Sequence, residues 1–147
     1  MKMKKYSVPK NFISSIGHNS LNNYQSLRKN AEQDSNSYWE SVAERIDWFD
    51  NWTTINNTDY SKAHIEWFSN GKLNASYNCI DRHIENGLGE KTALIWQSND
   101  PTISTNVSYN ELLKKVSLFA NGLKRAGIDK GDRVCIYMQM IPEAIIA

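Results

Sequence analysis

Apolar residues recur at helical spacing in four stretches of this chain and gather into short runs in between. From Ser20 a weak helical pattern runs through Leu21, Tyr24, Leu27 and Ala31, until Gln33-Asp-Ser-Asn-Ser37 interrupts it. A clearer helix follows. Ser37-x-x-Glu40 forms a capping box, and Trp39, Val42, Ala43 and Ile46 fall at i, i+3, i+4 and i+7, with Glu40, Glu44 and Arg45 on the wet face. After the turn signal Asn70-Gly71, the residues Leu73, Tyr77, Ile80 and Ile84 mark a third helix face, with Asn74 placed as its N-cap and Gly87 and Gly89 as its end. The fourth helix starts at Ser108-x-x-Glu111, a second capping box. It turns Leu112, Val116, Phe119, Ala120 and Leu123 inward, leaves Lys114, Lys115 and Lys124 in water, and stops at Gly127.

The short runs read as strands. Ala93-Leu-Ile-Trp96 and Asn106-Val-Ser108 flank the turn sequence Ser98-Asn-Asp-Pro-Thr102 and predict a hairpin. Val134-Cys-Ile-Tyr-Met138 is apolar throughout and too short for a helix. That is the habit of a strand buried on both faces of a parallel sheet. Pro142 and Glu143 then suit the first turn of a new helix, whose Ile145 and Ile146 have no later strand to cover, so the chain reads as the front of something longer. Strand, helix, strand and helix start make a βαβ order, so the expected class is α/β, with a mixed or parallel sheet begun and not finished.

Two stretches have no period. Residues 1–19 are polar and irregular and are expected to be a flexible leader. Residues 47–68 carry Trp48, Phe49, Trp52, Tyr60, Trp67 and Phe68 without regular spacing, which predicts an extended arm anchored by its rings to the surface of another unit. A platform for stacking bases or sugars would need interleaved cations, and only Lys62 is near.

Composition narrows the classes. The 147 residues suffice for one domain plus a leader, and a net charge of +1 with scattered Lys and Arg argues against nucleic acid as a partner. The start Met-Lys-Met-Lys-Lys5 is basic, but Phe12, Ile13 and Ile16 are separated by polar residues, so neither a signal peptide nor a membrane span is expected. Cys79 and Cys135 read as reduced core residues of a cytoplasmic protein. The Asn-x-Ser/Thr triplets at Asn51, Asn56, Asn74 and Asn106 are those that an Asn- and Ser-rich chain produces by chance.

Candidate chemistry is sparse. Gly87-Leu-Gly89 and Gly131 lack the spacing and the following Lys-Ser/Thr of a phosphate loop. His18, His64 and His83 do not cluster. Cys79 and His83 stand i, i+4 and could share a helix face, but two ligands do not hold a structural zinc, and a packed Cys beside a hydrogen-bonded His is the simpler reading. Asp81-Arg82-His83 reads as a solvated helix face with local ion pairs, each on the order of 0.3–0.5 kcal/mol.

The order of several elements nevertheless resembles one family. These are Tyr38-Trp39, Ile46-Asp47-Trp48, Trp67-Phe68-x-x-Gly71-x-Leu73-Asn74, Tyr77-Asn-Cys-Ile-Asp-Arg-His83, Thr92-Ala-Leu-Ile-Trp96, Ser108-Tyr109-x-Glu111-Leu112, and Lys130-Gly-Asp132 followed by Ile136-Tyr-Met138, Met140, Ile141, Pro142 and Glu143. Over residues 24–147 they resemble acetyl-coenzyme A synthetase, the AMP-forming acetate–CoA ligase of the adenylate-forming superfamily; propionyl-coenzyme A synthetases are similar through the same stretch. The family usually has Pro where this chain has Gln139, which restores a backbone donor and frees φ before the last helix.

The resemblance implies three segments. Residues 1–19 form the leader, 20–86 an N-terminal extension of helical and irregular structure, and 87–147 the incomplete start of the large adenylate-forming α/β domain, about a quarter of the usual length in all. It also implies ATP, Mg2+ and coenzyme A for the full-length family. None of the family's functional motifs falls on a position of this sequence, so no catalytic, cofactor-binding or metal-binding residue is assigned and no cofactor is expected on this stretch alone. Three readings follow, in order: a fragment of the ligase inactive by itself, one piece of a split ligase completed by a second chain, and a non-enzymatic interaction module. No membrane or nucleic-acid partner is expected in any of them.

Overall fold

Local hydrogen bonding sets the helix ends. The computed structural model describes Pro9, Phe12 and residues 21–147. Helix α1 (Leu21–Gln33) is followed after one residue by α2 (Ser35–Ala43). The break is Asp34, whose extended backbone frees its carboxylate to cap α2 by accepting from the Ser37 amide at 3.0 Å and the Ser37 hydroxyl at 2.8 Å. The helix therefore begins ahead of the expected N-cap. Asp34 takes that role because its carboxylate, one turn earlier, accepts from both the Ser37 amide and the Ser37 hydroxyl, so Ser37 is a donor to the cap.

The chain resolves into two units, one ending at Lys72 and one running from Leu73 to Ala147. In the first, β1 (Thr54–Asn56) pairs antiparallel with β2 (Trp67–Ser69), in the register Thr54 to Ser69 and Asn56 to Trp67. The expected irregular arm is thus a short hairpin, and its rings pack on one another. Trp48, Trp52 and Phe68 have centroids 5.0–5.4 Å apart, mostly edge to face, and Trp67 continues the group to Trp39 at 5.9 Å. Phe68 adopts φ +52°, a costly setting for a bulky side chain, and sits among three Trp rings.

The second unit opens with α3 (Ala75–Cys79), capped by Asn74, which accepts from the Tyr77 amide at 3.2 Å. The single helix expected through Ile84 is broken at Ile80 (φ −128°, ψ −68°). A short α4 (Asp81–His83) and one wide turn (Ile84–Leu88) follow, with Gly87 at φ +78°. The kink sends Ile80 into the core and leaves Cys79, the last residue before it, exposed; the expectation of a core thiol fails there for that reason.

Strands β3 (Thr92–Gln97) and β4 (Ser104–Ser108) form the expected hairpin, antiparallel with an irregularity near Ala93. Helix α5 (Tyr109–Arg125) carries the full capping box: the Ser108 hydroxyl accepts from the Glu111 amide at 3.3 Å, and the Glu111 carboxylate accepts from the Ser108 amide at 2.9 Å. At its other end Gly127 (φ +84°) lets the Ile128 amide reach the Leu123 carbonyl and its own amide reach that of Lys124, a complete Schellman closure. Ile80, Val107 and Leu112 form the buried core, with Leu94, Val116 and Ile146 packed around it.

The parallel strand expected at Val134–Met138 is not one. Residues 132–139 form neither helix nor strand and pair with no strand among the described residues, and every side chain from Arg133 to Met140 is exposed, Tyr137 at 98%. A strand exists only through a ladder, and the described sheets are two separate antiparallel pairs. Cys135 lies on this segment and is exposed with it. Helix α6 (Pro142–Ile146) then begins with Pro142 in its first turn, as expected.

Candidate functional site

The candidate side chains do not converge. Cys79 is a free, exposed thiol, while the His83 ring lies 5.0 Å from that of Tyr109, a packing role. Arg82 donates to the Asn78 carboxamide at 3.1 Å, one turn back on the same face. His64 approaches the Glu66 carboxylate at 3.3 Å in the β1–β2 hairpin, far along the chain from His83. Among the described residues no three His, Cys, Asp or Glu side chains come together as metal ligands, and no helix is long and apolar enough to cross a membrane.

The shifted carboxylates serve local structure. The Ser37 amide holds Asp34 below the usual carboxylate range, the Ser61 hydroxyl does so for Asp59, and the Thr102 hydroxyl for Asp100. The side-chain amide of Asn57, 2.6 Å away, lowers Glu66, and the backbone amide of Ser108 lowers Glu111. Each is a turn, a cap or, for Glu66, a contact across the β1–β2 hairpin, in which the charged form accepts hydrogen bonds. None stands in an enclosed cleft poised for proton transfer.

What the second unit does present is apolar surface. An open cleft of about 450 Å³ is floored by Ile80, Leu112 and Val116 and rimmed by Cys79, Ile145 and Ile146. On the same unit, Val134, Ile136, Met138 and Met140 stand about half exposed or more along the unpaired segment. That segment is held at one end by the Trp96 indole, which donates to the Met140 carbonyl at 2.8 Å. Isolated exposed apolar side chains are ordinary, but a contiguous row of them on unpaired backbone is the signature of a contact surface. The row was legible in the sequence as an apolar run; its exposure was not.

Comparison with known proteins gives this surface a context. Residues 81–147 match the family described as AMP-binding enzyme, and residues 24–79 match that described as acetyl-coenzyme A synthetase N-terminus. The second unit thus contains the whole of the AMP-binding match and, over residues 73–79, the end of the other. An acetyl-coenzyme A synthetase of Magnetococcus marinus is 49% identical over 125 residues, covering 84% of this chain and 19% of that protein. That of Leptospira biflexa is 40% identical over all 147 residues and 22% of its own length, and that of Pseudoalteromonas translucida 45% over 126 residues. The chain belongs to the acetyl-coenzyme A synthetase family, as the counterpart of its N-terminal part. It spans about a fifth of the length of the curated relatives it matches.

Proposed function

We propose that these residues are the N-terminal part of an AMP-forming acetate–CoA ligase and supply scaffold to it rather than reacting groups. In the whole enzyme an acetate oxygen attacks the α-phosphorus of ATP and pyrophosphate leaves. The thiolate of coenzyme A then attacks the acyl carbon of acetyl-adenylate, and AMP departs with the bonding electron pair. The observation that carries this reading is the continuous similarity to named acetyl-coenzyme A synthetases from residue 24 to Ala147. No described trio of ligands offers a Mg2+ cradle and the sequence holds no Gly-rich phosphate loop, so no step is routed through this stretch. The polypeptide works in the cytoplasm on this reading, in keeping with two free exposed thiols.

A second part of the reading concerns the partner. The exposed row from Val134 to Met140 favours docking against the remainder of an AMP-binding domain, carried on the same or a second polypeptide. There the segment would gain the ladder it lacks and become the buried strand its composition suits. An ATP–pyrophosphate exchange assay with acetate tests the first part: a purified polypeptide of these 147 residues should give no exchange above background, and clear turnover would overturn the scaffold role. Mixing it with a polypeptide spanning the remaining length of a relative tests the second. Acetyl-CoA formation dependent on both pieces is expected, and activity unaffected by Ile136→Asp would remove the docking role of this row.

A further inference from the structure

We draw no further inference here: the strongest candidate, the apolar row Val134–Met140 beside the cleft over Ile80 and Leu112, belongs to the docking already proposed, and nothing in the structure shows any other occupant covering it.

Discussion

Up to Lys72, Trp48, Trp52 and Phe68 meet ring against ring, and none of the three is fully buried. From Leu73 onward Ile80, Val107 and Leu112 are buried outright, yet the same unit leaves Val134, Ile136 and Met138 in water. Rings achieve much by mutual contact, since each edge-to-face pair adds about 0.5–1.5 kcal/mol beyond the area it covers. Aliphatic side chains gain only by exclusion from water, at about 25 cal/mol per Å². The first unit therefore packs a few large rings on one another, while Phe49, Tyr60 and Ile65 stay exposed around them. The second closes part of its surface on the Ile80–Val107–Leu112 core and holds the rest out on an unpaired segment. Ring contacts of the first kind can stabilise a short hairpin locally, whereas the second unit keeps a row of aliphatic side chains in water.

The sharpest way to break this contrast is to empty the aliphatic core. Leu112→Ala removes the side chain that joins α5 to Ile80 and Val107, and should destabilise the second unit by about 2–5 kcal/mol. Urea unfolding of α5 by far-UV circular dichroism reads this out, and a loss under about 0.5 kcal/mol would mean that Leu112 is not holding the core together.

Overfilling the ring cluster comes next. A Cβ on Gly71 would stand 2.7 Å from the Trp48 ring and 3.0 Å from the Phe68 carbonyl, so the ring, the backbone or both must give. Gly71→Val should cost about 1–3 kcal/mol. Four of the five tryptophans lie before Lys72, which makes urea unfolding followed by indole emission a direct report on this unit. Unchanged emission and midpoint would show that the cluster is loose enough to absorb a branched side chain.

The same contrast explains what was legible in the sequence. Caps and turns are interactions over three or four residues, so Asn74, the Ser108–Glu111 box, Gly127 and the β3–β4 turn could be read directly. The β1–β2 pairing could not: Thr54-Ile-Asn56 is too short for its alternation to mark a strand, and its partner strand includes Phe68 at a positive φ against Trp48 and Trp52, distant in sequence. The kink at Ile80 carries neither Pro nor Gly to announce it and interrupts an unbroken apolar period. The Val134–Met138 run is apolar as read, but it is neither a strand nor buried, because both pairing and burial depend on neighbours that composition does not contain. Among site features, the lack of a phosphate loop was plain from spacing alone. The exposed row became visible only with the fold.

Caps sharpen the comparison further: carboxylates such as Asp34 cap the first unit, whereas α5 of the second starts on a hydroxyl, Ser108. Ser108→Ala removes the hydroxyl that accepts from the Glu111 amide and should cost α5 about 0.5–2 kcal/mol. Ser108→Asp keeps an acceptor and should recover most of it. Thermal melts at 222 nm separate the two, and equal losses in both variants would show that the cap is idle.

The smallest effect is a matter of pH. The Ser108 amide and hydroxyl hold the Glu111 carboxyl below its ordinary value of 4.5. A group whose folded value is depressed adds stability that is present above its unfolded value and is lost as pH falls through the folded one. The contribution of Glu111 should therefore be intact at neutral pH and fade below about pH 4.5. Asp34, Asp59 and Asp100 are depressed as well and fade in the same direction, so a global acid melt would not isolate α5. The Ser108 amide proton does, because it donates directly to the Glu111 carboxylate. Its chemical shift should follow a titration below pH 4.5 in the native chain and lose that titration in Glu111→Gln, which accepts the same bond without ionising. A Ser108 shift that titrates identically in both would show that the depressed carboxyl and the α5 cap are not coupled, and that the lowering has another source.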